Sequence, residues 1–245
     1  MKLSYAYPRE LKKAREENWP LAIPLGVIEY HAEHMAVGCD TFIAERSLEI
    51  LEKERNMVLA PPFWYGPASW AVAGPEQPCS IHVDYDAFEK MFHDIFISLL
   101  DDGWRNIYVF YFHQSEALNP MGLSVMKAAK TAVFEFLQNK KGYGWWGDEK
   151  NAAFYESLGQ EDKDNPWNWI KVLTISEQSI TDEFGFDHAG KWETSLLSHL
   201  DPAAVKYERR QDNRAWFARS AQEASPEIGR QMTKRIVERL RSLIV

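Results

Sequence analysis

Short runs of apolar and β-branched residues alternate along the chain with longer stretches whose apolar positions recur every three or four residues. This alternation predicts strands and helices in turn, the pattern of an α/β layered fold. The first apolar run covers residues 21–27, is interrupted at Gly26 and is followed at once by a polar cluster. From residue 40 to about 53, Phe42, Ile43, Leu48, Ile50 and Leu51 lie among glutamates and arginines at helical spacing, and residues 57–60 read as a short strand stopped by Pro61 and Pro62. Asp86 and Glu89 have the spacing of a capping box, which predicts an amphipathic helix from there to about Asp102, ended by Gly103.

Residues 106–112 are almost continuously apolar, as expected of a central strand covered on both faces. Asn119 before Pro120 supplies a cap and a proline at the first helical position, so a helix follows to about Asn139. Residues 171–175 form a further strand. Ser225-Pro226 opens a C-terminal helix with Ile228, Met232, Ile236 and Leu240 at steps of four, a stripe for the core or a subunit interface. No repeat, low-complexity tract or linker-like shift divides residues 1–245, and one domain is expected. The segment from about 142 to 169 breaks the rhythm. It holds Trp145, Trp146, Trp167 and Trp169 among polar residues and reads as an ordered excursion over the sheet, either a packing or oligomer contact or an aromatic wall over a pocket.

Composition narrows the function classes. With 245 residues, 45% of them hydrophobic and 13% aromatic, the chain can bury a substantial core. A formal charge of −8, with both signs interspersed, leaves no basic stripe for nucleic acid, so the expected partner is a small molecule. No apolar run reaches the roughly 20 residues of a membrane span, and residues 1–8 lack a signal peptide's apolar stretch, so a soluble, cytoplasmic protein is expected. Cys39 and Cys79 can form neither a disulfide framework nor a thiolate zinc cage and read as free thiols.

The chemically informative residues follow directly on the apolar runs, where open α/β sheets place their ligands. After the first run come Glu29, His31, Glu33 and His34, with Asp40 at the mouth of the next helix; after residue 112 comes His113, with Gln114, Ser115 and Glu116 behind it. After the last strand comes the stretch from Asp182 to Ser195, which contains Asp187, His188 and Glu193. In an extended segment Glu29 and His31 project to the same side and can reach one ion. Taken singly, Asp40 could be a helix cap and each histidine a hydrogen-bonded strand-end residue. Together, imidazole and carboxylate suit zinc, manganese or ferrous iron, and a carboxylate can bridge two such ions.

These stretches resemble a known family. Pro24-Leu25-Gly26-Val27-Ile28-Glu29-Tyr30-His31-Ala32-Glu33-His34, followed by Asp40, is similar to the P-x-G-x-x-E-x-H-G-P-H pattern and downstream T-D of the creatininase family. Asp187-His188-Ala189-Gly190-Lys191-Trp192-Glu193-Thr194-Ser195 resembles its D-x-H-A-G-x-x-E-T-S block, and residues 103–110 resemble the strand leading to its metal-binding histidine. The resemblance spans about residues 20–200. It implies a single three-layer α/β/α domain with a mainly parallel sheet, two divalent ions (zinc, manganese or iron) at the strand ends, and a homo-oligomer, hexameric by family likeness. It also implies that Glu29, His31, Asp40 and His113 are metal ligands with Asp40 as the bridge, that Glu193 is a further ligand or a supporting carboxylate, and that His188, with Asp187 beside it, transfers protons.

Two departures bear on the substrate. The family's N-G-H-G-G-N, or N-G-H-Y-E-N in creatininase, is here Tyr111-Phe112-His113-Gln114-Ser115-Glu116, and its Gly-Pro is Ala32-Glu33. Glu33, Gln114 and Glu116 are therefore candidate substrate contacts, joined by Trp145 and Trp167 if the tryptophan segment walls the pocket. The leading expectation is hydrolysis of a carbon–nitrogen bond in a small cyclic or linear amide. The alternatives are hydrolytic carbon–carbon ring opening of a cyclic diketo polyol and a non-catalytic binding protein that retains the fold.

Overall fold

Among the described residues, four parallel strands form the central sheet of this computed structural model, in the order β2-β1-β3-β4. They are β1 (Leu21–Leu25), β2 (Val58–Leu59), β3 (Ile107–Tyr111) and β4 (Ile170–Thr174). The structure describes residues 1–74, 76–113, 119–157 and 165–244. Leu21 lies opposite Ile107 and Leu25 opposite Tyr111, while Ile107 and Tyr111 face Ile170 and Thr174 on the other side. The helices are α1 (Pro8–Glu16), α2 (Cys39–Glu52), α3 (Tyr85–Asp101), α4 (Pro120–Lys141), α5 (Ala152–Ser157), α6 (Gln178–Phe184), α7 (Lys191–Leu200) and α8 (Pro226–Leu243).

Residues alternate between the two faces of the sheet, and each face has its own apolar cluster. Leu21, Ile23, Leu25, Ile107, Val109 and Ile170 pack under α1, α3 and α4, whereas Ala22, Tyr108 and Phe110 pack under α2, α7 and α8. Phe88, Phe92, Phe96 and Leu100, four residues apart on α3, are all fully buried, and each contributes roughly 1.5–3 kcal/mol relative to exposure. The result is the three-layer α/β/α architecture.

The direction of chain travel explains which helix covers which face. The chain crosses from β1 to β2 by way of α2, then reverses and crosses through α3 to β3 and through α4 to β4. Right-handed crossovers running in opposite directions must cover opposite faces, as α2 and the pair α3/α4 do. The reversal falls between the neighbouring strands β1 and β3. The crevice outside their carboxyl ends is where a sheet of this kind places a ligand.

Two helix starts agree with the sequence reading, and one does not. Asn119 caps α4 by accepting from the Gly122 N–H, and Ser225 caps α8 by accepting from the Ile228 N–H. In α3 the cap is Asp84 rather than Asp86: its carboxylate accepts from the N–H groups of Asp86 and Ala87, so Asp86 already lies in the first turn. Met232, Ile236 and Leu240 of α8 are buried in the cluster beneath α2 and α7, so the stripe is core. Among the described residues, no helix is long and apolar enough to cross a membrane.

Gly26 sets the approach of α2 to the end of β1. A Cβ at this position would lie 2.6 Å from both the Asp40 carbonyl carbon and the Thr41 Cα, inside backbone that cannot rotate away. Gly26→Ala should therefore push the start of α2 outward, lowering stability by about 1–3 kcal/mol in urea unfolding and displacing Asp40. An unchanged unfolding midpoint would show that α2 tolerates the shift.

Candidate metal centre

Four segments converge at the crevice. The chain leaving β1 brings Glu29 and His31, the first turn of α2 brings Cys39 and Asp40, the end of β3 brings His113, and the start of α7 with the loop before it brings His188 and Glu193. Glu29, His31, Cys39, Asp40, His113 and Glu193 are buried, while His188 keeps 22% of its side chain exposed. Asp40 is not the cap of α2, a place taken by Gly38, but the second helical residue. Its Oδ1 lies 3.2 Å from His31 Nε2 and its Oδ2 lies 3.0 Å from His113 Nδ1. One carboxylate thus faces two imidazoles in two directions.

Around it the donors fall into two overlapping groups. Glu29, Asp40 and His113 form one, and His31, Cys39, Asp40 and Glu193 form the other; within each, the donor atoms lie within 4.8 Å of one another. A third grouping of the same kind joins Glu29, His31 and His188. Glu193 reaches to 3.5 Å from His31 Nε2 and accepts from the Ala189 N–H at 2.6 Å. The segment carrying Glu29 and His31 is curled rather than extended. His31 Nδ1–H donates to the Glu29 carbonyl oxygen at 3.0 Å, and Ala32 takes a left-handed φ of 58°.

The residues fit divalent cations. His31 Nε2, which faces Asp40 and Glu193, is buried without a hydrogen-bond partner, and leaving such a group unsatisfied costs roughly 1–3 kcal/mol; His113 presents its Nδ1 to Asp40 and Glu29. Donation from Nδ1 to a carbonyl fixes the His31 tautomer so that Nε2 offers its lone pair to the side where Asp40 and Glu193 converge, the usual second-sphere support of a metal-binding imidazole. Imidazole and carboxylate are donors suited to zinc, manganese and iron.

Electrostatics describe the same cluster without cations. Burial opposes a charge on His31, but Cys39, Glu193 and Asp40 outweigh it and hold the imidazole well above its ordinary pKa. Burial also opposes a charge on His113, and its hydrogen bonds to Asp40 and Glu29 push it up to about 10. Burial alone would raise the Asp40 carboxyl, yet His31 and His113 bring it well below the usual range; His31 does the same for Glu193. Protons on the imidazoles therefore occupy the role that cations would take.

A pH dependence follows from the raised His113 value. The stability contributed by its proton is complete below the unfolded value of 6.5 and is lost as pH rises towards about 10. Melting of the chelator-stripped protein should fall progressively over this window, and added zinc or manganese should restore more stability at each higher pH because proton competition fades. A metal-free melting temperature that stays level across the window would contradict this account.

His188 and Asp187 do not pair. His188 Nε2–H donates to the Tyr30 carbonyl at 2.8 Å, which leaves Nδ1 directed towards Glu29 at 4.0 Å. Its ring lies 4.4 Å from that of His31 and edge-on to Phe217. The Asp187 carboxylate instead accepts from the N–H groups of Trp192 and Glu193, holding the first turn of α7, and burial raises its pKa.

Over the cluster lies a cavity of about 160 Å³, with Val72, Phe112 and Phe186 as apolar walls and Ser69, Thr174 and Asp187 as polar ones. That volume is below the roughly 300–1,000 Å³ of drug-sized sites and suits a small ligand. Glu33 lies elsewhere: it is exposed, accepts from the Tyr30 hydroxyl and lines a neighbouring cavity beside Cys79 and Arg214. Trp145 and Trp167 pack against Phe134 of α4 and do not line the cavity, while Trp169 packs against Phe136 beneath the Arg105 guanidinium. Gln114 and Glu116 lie outside the described residues.

Sequence reasoning misses several supporting groups. In the sequence Cys39 reads only as a free thiol; it is one, but it stands inside the donor cluster. His34 is buried and its pKa is pushed down by burial to about 4, so it is a neutral brace. Asn213 Nδ2–H donates to its Nδ1 and its Nε2–H donates to Thr194 Oγ1, tying the loop after β1 to α7. The two-histidine spacing of His31 and His34 is a visible signal for this brace, but nothing in the sequence marks Asn213.

Comparison with known proteins places these features in context. No curated protein matches the chain. Among solved structures, a tryptophan-to-phenylalanine mutant of creatininase aligns with a TM-score of 0.74 at 17% identity, covering 99% of this chain and 97% of that one. A manganese form of creatininase aligns with a TM-score of 0.71 at 18% identity, covering 99% and 96%. A glutamate-to-glutamine mutant of Zn–Zn type aligns with a TM-score of 0.70 at 18% identity with the same coverage. At these identities the likeness establishes the fold. The creatininase family model, described as creatinine amidohydrolase, matches residues 6–244, and on that match the chain belongs to the creatininase family.

Proposed function

We propose that this chain is a metal-dependent hydrolase of the amidohydrolase kind that cleaves a carbon–nitrogen bond in a small cyclic or linear amide. The observation that carries the reading is Asp40, whose two oxygens each face a different imidazole, Oδ1 that of His31 and Oδ2 that of His113. Family membership and the manganese and Zn–Zn forms of related creatininases support divalent metal at this place. Glu29, Asp40 and His113 would hold one ion, and His31, Asp40 and Glu193 the other.

When bound, two divalent ions lower the pKa of a coordinated water from 15.7 towards roughly 7 and polarise a substrate carbonyl. The chain's own residues do the rest. Val72, Phe112 and Phe186 give the cavity its apolar walls beside the reacting bond. His188, held at Nε2 by Tyr30, keeps Nδ1 free to take a proton and return it to the departing nitrogen. Asp187 fixes the first turn of α7, and with it Glu193, through two backbone hydrogen bonds.

A panel of cyclic amides and keto-inositols, followed by mass spectrometry with zinc- and manganese-loaded protein, tests the reading. Metal-dependent gain of one water by an amide is the expected result. Opening of a diketo polyol with no amide turned over would replace it with the carbon–carbon alternative, and stoichiometric metal binding without turnover of any substrate would favour a binding protein.

A further inference from the structure

The two donor groups around Asp40 differ in one respect that the proposed hydrolytic chemistry does not use. Among the described residues, the group on the His113 side offers only oxygen and nitrogen, whereas the group on the His31 side also contains the sulfur of Cys39. Cys39 is the first residue of α2, fully buried and unpaired with any other thiol. A buried cysteine ordinarily acts as a small apolar filler among aliphatic neighbours. Here the residue belongs to the apolar cluster beneath α2, yet its sulfur also lies within 4.8 Å of donor atoms of His31, Asp40 and Glu193, a polar side that filler alone does not require. The independent sign of a ligand is His31 Nε2. It is wholly buried, has no hydrogen-bond partner and is aimed at the space that Asp40 and Glu193 border at 3.2 and 3.5 Å.

We propose that Cys39 is a sulfur ligand of the ion on the His31 side, so that the centre is asymmetric, with a nitrogen–oxygen–sulfur site beside a nitrogen–oxygen site. The inference rests on the reading that the cluster holds divalent ions. One imidazole, two carboxylate oxygens and one thiolate make a four-donor set of the composition that zinc accepts in tetrahedral geometry. Thiolate is a soft ligand that favours zinc or cobalt over manganese, while the Glu29, Asp40 and His113 set is hard enough for manganese. Binding deprotonates the thiol, and the proton leaves to solvent. Cys39 also stands at the threonine position of the Thr-Asp pair in the resembled pattern, directly before Asp40, and Gly26 fixes the backbone there, so the sulfur reaches the site from a rigid turn.

Cobalt provides the probe. Chelator-stripped protein titrated with Co²⁺ should bind two equivalents, one of them giving a near-ultraviolet sulfur-to-cobalt charge-transfer band. The band should vanish in Cys39→Ser and Cys39→Ala and persist in Cys79→Ser. In Cys39→Ser the zinc affinity of that site should fall by at least roughly 10- to 100-fold, the cost of losing even a supporting partner, while manganese affinity changes less. X-ray absorption at the zinc edge of wild-type protein loaded with one equivalent needs no variant and should show a sulfur scatterer at about 2.3 Å. Stoichiometric cobalt binding that depends on Asp40 but shows no sulfur band or scatterer overturns the role of Cys39 and leaves the two-ion reading intact. Absence of stoichiometric binding in the wild type overturns both.

Discussion

Asp40→Ala is expected to remove both ions together and to take hydrolysis with them to background. Each carboxylate oxygen serves a different imidazole, His31 at 3.2 Å and His113 at 3.0 Å, and no other residue among those described belongs to both donor groups. Without it the His113 side retains, among the described residues, only Glu29 and His113, too few donors to retain an ion against water. His113→Ala should act differently, emptying mainly one site and leaving His31, Cys39, Asp40 and Glu193 in place. Elemental analysis after gel filtration therefore separates the two variants, near zero for one and about half the wild-type content for the other. Removing one member of a buried ion pair can itself cost about 3–5 kcal/mol. Asp40→Asn, which keeps the shape, should be measured alongside to show that metal loss is not merely unfolding. Wild-type metal content in Asp40→Ala would eliminate the bridging role.

The parts of this centre that are legible in the sequence are those fixed by local physics. A strand covered on both faces must be apolar throughout, so the ends of β1 and β3 announce themselves, and the polar residues directly after them have to lie at the carboxyl edge of the sheet. Caps with a following proline, at Asn119 and Ser225, are equally plain. The start of α3 is not, because Asp84 and Asp86 are chemically equivalent caps and only the extended backbone at Asp84 decides between them. In the sequence, adjacency alone pairs Asp187 with His188. The left-handed turn at Ala189 follows them, and the Asp187 carboxylate faces the N–H groups of α7 while the His188 ring faces Glu29. Cys39 and Asn213 are invisible for a different reason. Their place in the site depends on how closely α2 approaches β1 across Gly26 and on where the segment before α8 passes His34, and both are tertiary facts. The tryptophans suggest a pocket wall because an aromatic-rich irregular segment often forms one; Trp145 and Trp167 here share Phe134 of α4 as their packing partner.

His188→Asn should separate proton transfer from metal binding. Three features support the proposed proton-transfer role of the imidazole. Nε2–H is engaged by the Tyr30 carbonyl, Nδ1 faces Glu29 and the cavity, and partial exposure lets the ring exchange protons with solvent. Asparagine has a similar size, and its amide can still donate to Tyr30, but it cannot take up and return a proton. Loss of general acid–base help should lower kcat by roughly 10²- to 10⁴-fold with KM little changed. One limb of the pH–rate profile should flatten, and metal content should stay near wild type. Glu29→Gln should behave otherwise, losing metal and activity in step, because a neutral amide is a poor ligand for a divalent ion. The discrimination matters because Glu29, His31 and His188 are themselves close enough to share an ion. If His188→Asn sheds metal in parallel with activity, His188 is a ligand; if it retains full kcat, the proton travels by another route and the assignment of His188 fails.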